Sequence, residues 1–134
     1  MKTAERDYSH RTLFEKLGVR PDAHVAIVGG HDQWFVDELD ANLAKAASRT
    51  LRTKYDFIFA FVDDRRALAK LPSGVEHLKP AGVLWIFHPK GRGASPNEHE
   101  VRAAALAAGL VDNKVCSYSD SHTATRYVIP VNRR

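Results

Sequence analysis

Cysteine is almost absent from this chain. Cys116 stands alone among 134 residues, which excludes an intrachain disulfide and a zinc site built from cysteines. It sits in an apolar, strand-like run, which argues against a reactive thiol. Long hydrophobic runs are missing too: none approaches the roughly 20 residues of a membrane-spanning helix. The first ten residues, MKTAERDYSH, lack the apolar core of a signal peptide, so a cytoplasmic location without membrane contact is expected. Neither the GxxxxGK[ST] phosphate loop nor a nucleophile elbow occurs, so P-loop chemistry and serine hydrolysis have no support. Internal repeats, linkers and low-complexity stretches are also lacking.

What is present is ordinary for a globular protein: 44% apolar and 27% charged residues. This length and composition suit a single domain with a real core, expected over 9–134 behind a flexible polar arm, 1–8. The net charge of +4 and pI near 9.4 lean basic. Acids nevertheless alternate with bases, and only Arg65-Arg66, Lys90/Arg92 and Arg133-Arg134 are local concentrations. With no nucleic-acid motif beside the charge, solvated surface is the better reading, and nucleic acid is not an expected partner.

The pattern converges on Leu78 to Gly93, LKPAGVLWIFHPKGRG. It predicts a turn (79–82), a strand buried on both faces (Val83 to Phe87) and a basic glycine loop. Upstream, Ser9 caps a short helix carrying Leu13, Phe14 and Leu17, ended by Gly18. His24 to Val28 reads as a first strand and Gly29-Gly30-His31 as a tight turn. Asp32 reads as the cap of a helix over about 33–47 with Phe35, Leu39 and Leu43 inward. Arg49 to Thr53 is a weak second strand, and Phe57 to Val62 a strong buried one. Asp63-Asp64 then cap a helix broken at Pro72. Past the basic loop, Ser95-Pro96-Asn97-Glu98 has capping-box spacing with proline at the first helical position, and the helix stops at Gly109. Lys114 to Tyr118 and Thr125 to Val131 close the chain as a hairpin. The expected fold is α/β: a Rossmann-like single domain, mostly parallel, with helices on both faces and an antiparallel C-terminal strand.

In order, VAIVGG, YDFIFAFVDD and LKPAGVLWI resemble the strands of a trimmed class I methyltransferase core. The chain also resembles a small bacterial family known as a domain of unknown function, over about residues 11 to 131. The shared marks are Lys16-Leu17-Gly18-Val19-Arg20-Pro21, Leu78 to Trp85 with Pro89-Lys90, and Gly109 to Cys116. That family carries a tryptophan in the loop between its last two strands, where this chain has Asp120-Ser121-His122-Thr123. The methyltransferase resemblance implies S-adenosylmethionine held by a glycine-rich turn and an acid.

Here the turn holds only Gly29 and Gly30, His24 and Ala26 stand where an acid could, and the second strand ends Arg52-Thr53-Lys54. The two glycines serve either a tight turn or the close approach of a ligand. His31 and Asp32 flank that turn as ligand groups or caps. Asp63 and Asp64 stand where a catalytic or metal-binding acid belongs, or cap a helix. The best functional candidate is the loop His88 to Ser95: Lys90 and Arg92 among glycines, leading into a capped helix, can hold a phosphate or carboxylate. Trp34, Phe35, Phe57, Phe59, Phe61 and Trp85 belong to the core, and His122 to an exposed loop. The expectation is a non-catalytic module without cofactor, binding a small anion or a protein partner through Gly29, Gly30, His31, Asp63, Asp64, His88, Lys90 and Arg92. The alternative is an atypical S-adenosylmethionine-dependent methyltransferase.

Overall fold

The computed structural model describes residues 13–30 and 32–134. The expected arm over 1–8, the Ser9 cap and His31 lie outside the described residues. Three apolar segments form parallel neighbours: β1 (Val25–Gly29), β2 (Tyr55–Phe61) and β3 (Leu78–Pro89). The two C-terminal strands, β4 (Val111–Ser117) and β5 (His122–Val128), pair as the expected hairpin. β5 inserts antiparallel beside β3, giving the order β1-β2-β3-β5-β4. The helices are α1 (Gln33–Ala41), α2 (Arg65–Ala69), α3 (Leu71–Val75) and α4 (Glu98–Ala107), with a helical stretch at 13–17. Four strands point one way and helices cover both faces, as the alternation of strand and helix signals requires.

Each face has its own core. One is aromatic: Phe57, Phe59, Phe61, Trp85 and Phe87 meet Leu13, Leu17 and the inward side of α1, Phe35, Val36 and Leu39. Trp85 is fully buried and its indole N–H donates to the Leu17 carbonyl at 3.1 Å, fastening the 13–17 stretch to the sheet. The other is aliphatic: Ala26, Ile58, Ala60, Leu84 and Ile86 meet Leu71 of α3 and Val101 and Ala105 of α4.

Several boundaries differ from the sequence pattern because tertiary hydrogen bonds override local preference. α1 stops at Ala41, since the Asn42 side chain donates to the Glu38 carbonyl and Ala44 N–H turns to the Pro21 carbonyl. The weak second strand is reduced to a bridge between Ser48 and Ala26. Beyond it, Thr50 O accepts from both Ser48 Oγ and Tyr55 OH, which bends the chain away from the sheet. The supposed turn at 79–82 is an interruption inside β3, where pairing jumps from Tyr55↔Leu78 to Phe57↔Val83. A Cβ on Gly82 there would stand 2.9 Å from the Lys79 and Tyr55 carbonyl oxygens. The helix breaks at Lys70, two residues before Pro72, which sits in the first turn of α3. α4 begins two residues later than its proline suggested, with Asn97 and Glu100 forming the capping box.

Candidate functional site

A cleft of about 610 Å³ opens on the aliphatic face at the carboxyl ends of β1 and β2. Its floor is Val28, Leu51, Ile58, Ala60 and Leu84, and one wall is the α2–α3 segment. In a larger doubly wound sheet this edge of β1 would carry further strands; here Ser48 bridges to it, through Ile27 N–H and the Val25 carbonyl. Crevices outside the carboxyl ends of parallel strands are where such sheets hold ligands.

Four of the predicted residues line this cleft: Gly29, Gly30, Asp63 and Asp64. The two glycines differ. Gly29 has φ +86, and a Cβ would fall 2.3 Å from the Phe61 carbonyl oxygen, so its role is structural. Gly30 has nothing within 4 Å of an added Cβ. It is the position where a ligand can approach the backbone. Asp64 caps α2, accepting from Ala67 N–H at 2.7 Å.

Asp63 reaches the other way. Its Oδ1 lies 2.6 Å from Nε2 of His122, 59 residues on, and His122 Nδ1 lies 2.7 Å from the exposed Ser121 hydroxyl. His122 is therefore not the exposed loop histidine expected but a half-buried residue at the start of β5. No local motif marks this pair; the signal lies in topology, because an antiparallel β5 must start where β2 and β3 end. Asp32 also departs from expectation: its side chain makes no cap bond and instead accepts from Tyr118 OH at 2.8 Å. Burial first, then that hydrogen bond, pushes the Tyr118 phenol up, so it stays protonated. Tyr118 in turn stacks on Trp34 and packs edge-on against Phe87.

In the basic loop, His88 and Lys90 take partners within the fold. His88 is buried, with Nδ1 3.2 Å from the Pro89 carbonyl and Nε2 3.3 Å from Thr125 Oγ1. Desolvation pushes its pKa down, so it is neutral rather than cationic. Lys90 Nζ donates to Ser117 Oγ at 2.9 Å. The start of α4, meant to receive the anion, is already closed by its own capping box, and Glu98 and Glu100 in its first turn repel negative charge. Arg92 is left exposed on the loop. Among the described residues, no group of three or more His, Cys, Asp or Glu side chains could hold a metal ion. Nor is any helix there long and apolar enough to cross a membrane.

No protein-family profile and no curated protein sequence matches the chain. Solved structures do match. Magnesium protoporphyrin IX methyltransferase from Synechocystis PCC 6803, with bound SAM, superposes over 92% of this chain and 77% of its own, with TM-score 0.68 at 12% identity. A glycopeptide N-methyltransferase covers 92% of this chain and 90% of its own, with TM-score 0.67 at 9% identity. A SAM-dependent methyltransferase from Aquifex aeolicus covers 90% and 89%, with TM-score 0.64 at 14% identity. At such identities the likeness shows a shared fold: the Rossmann-like fold of methyltransferases.

These likenesses overturn the expectation of a non-catalytic anion- or protein-binding module and favour its alternative, an atypical methyltransferase. The expectation of no cofactor loses its support with it.

Proposed function

We propose that this chain is an S-adenosylmethionine-dependent methyltransferase with an atypical cofactor turn. The observation that carries the proposal is the cleft between the Gly29-Gly30 turn and Asp63-Asp64, on a fold shared with solved methyltransferases. The cleft fits the cofactor in part. Its apolar floor suits a flat nucleobase, and Gly30 leaves its backbone open to a ligand. The carboxylate that a second strand would offer the ribose hydroxyls is missing, and Asp64 is the acid at hand on the cleft wall. When bound, the cofactor supplies an electrophilic methyl group on a sulfonium.

The chain's own contribution is proton removal. Asp63 orients the His122 ring, with Nε2–H donating to the carboxylate. Nδ1, beside the Ser121 hydroxyl, is left to take a proton from an acceptor hydroxyl or amine. Positioned general bases of this kind contribute about 10²–10⁴-fold. The test is transfer of label from methyl-tritiated S-adenosylmethionine to a panel of phenols, amines and a deproteinised cell extract. Labelled product with the native chain, falling about 100-fold in His122→Ala, is expected. Absence of transfer to every acceptor would overturn the proposal.

A further inference from the structure

The wall of the cleft carries an unusual order of charges. Adjacent arginines on α2 diverge: Arg65 pairs with Glu100 at 3.0 Å, whereas Arg66 lines the cleft. Lys70, one helical turn on, lines it too. Among the described residues neither Arg66 nor Lys70 enters an ion pair, and both are exposed. On the opposite side the 49–54 segment brings no acid: Arg49 is tied to Asp40, and the Arg52 guanidinium donates to Thr50 Oγ1. In dinucleotide folds an acid on this side reads ribose hydroxyls. Here that reader is absent, and two unpaired cations stand across the cleft instead.

We infer that Arg66 and Lys70 bind the carboxylate of the cofactor's amino-acid tail, so that the tail rather than the ribose dominates recognition; this rests on the methyltransferase reading. Asp63 and Asp64 stand on the same wall just before the cations. A phosphate there would face the Asp64 carboxylate. An α-amino acid instead offers its carboxylate to Arg66 and Lys70 and its ammonium to Asp64. Charge-assisted hydrogen bonds of that kind are stronger than neutral ones.

The experiment is calorimetric titration with S-adenosylhomocysteine and with 5′-methylthioadenosine, which keeps the nucleoside thioether but lacks the amino acid. Both are titrated into the native chain and into an Arg66→Ala/Lys70→Ala variant. S-adenosylhomocysteine is expected to bind the native chain at least about 10-fold tighter than methylthioadenosine. The variant loses about 10-fold or more for S-adenosylhomocysteine and nothing for methylthioadenosine. Its circular dichroism melt is unchanged, because among the described residues neither side chain has an ion-pair partner to lose. An Arg66→Lys/Lys70→Arg variant, which keeps both charges, retains the preference. Equal weakening of both ligands, or of neither, would overturn the inference and leave the methyltransferase reading standing. Failure of the native chain to bind either ligand would overturn both.

Discussion

The two faces of the sheet divide the work between them. On one, Phe35 touches Phe59, Phe61 and Phe87 edge-on at ring-centroid distances near 5.5 Å, and Phe61 stacks on Phe87 at 4.4 Å. Aromatic side chains there interlock, and Trp85 ties even the 13–17 stretch to the sheet. The other face is built mainly from Ala, Ile, Leu and Val, with Tyr55 and Tyr127, and beside α4 it is roofed by α2 and α3, five residues each. Small side chains under short helices cannot fill the layer, and a cleft results. The aromatic face provides rigidity; the aliphatic face provides room for a ligand beside a sheet edge that cannot move.

Truncation should separate the faces most clearly. Trp85→Ala removes a fully buried ring and its hydrogen bond and is expected to cost about 3–5 kcal/mol, measured by urea unfolding. Leu84→Ala, on the opposite face at the cleft floor, should cost nearer the low end of its class, about 2 kcal/mol, because the space it leaves joins an existing opening. Equal losses would break the comparison. Next come the two glycines. Gly29→Ala forces a Cβ against the Phe61 carbonyl at positive φ and should cost about 1–3 kcal/mol. Gly30→Ala should stay within about 0.5 kcal/mol, since nothing stands near it.

A smaller effect is expected from His88. Burial holds its folded pKa below the ordinary 6.5, so between the two values the unfolded chain binds more protons than the folded one. Stability must then fall as pH drops below about 6.5, and His88→Gln should flatten that fall in urea midpoints compared across the range. An unchanged slope would show that His88 is not the group responsible.

Much of this architecture was legible in the residues. Continuous apolar runs at 25–28, 57–62 and 83–87 could only be strands covered on both sides, and Gly109 ends α4 with φ +91 as its position implied. Periodicity could not show that Ser48, Thr50 and Tyr55 would divert the second strand, because those bonds span loops. The candidate site was half legible. Gly29-Gly30 and Asp63-Asp64 follow strands, so topology alone brings them together. In the basic loop, charge and glycine are visible in a sequence while their partners are not: Ser117 takes Lys90, Thr125 takes His88, and Asn97 closes the helix start. His122 was missed for the converse reason, its partner lying on another strand end.

The most direct measurement is calorimetric titration of S-adenosylhomocysteine into the native chain and into Gly30→Val. The branched side chain points into open space, so the fold should survive while the approach to the backbone is blocked. Saturable binding by the native chain that disappears in a folded Gly30→Val chain is the predicted result. Binding of equal strength by both, or none at millimolar ligand, would contradict a cofactor site in the cleft.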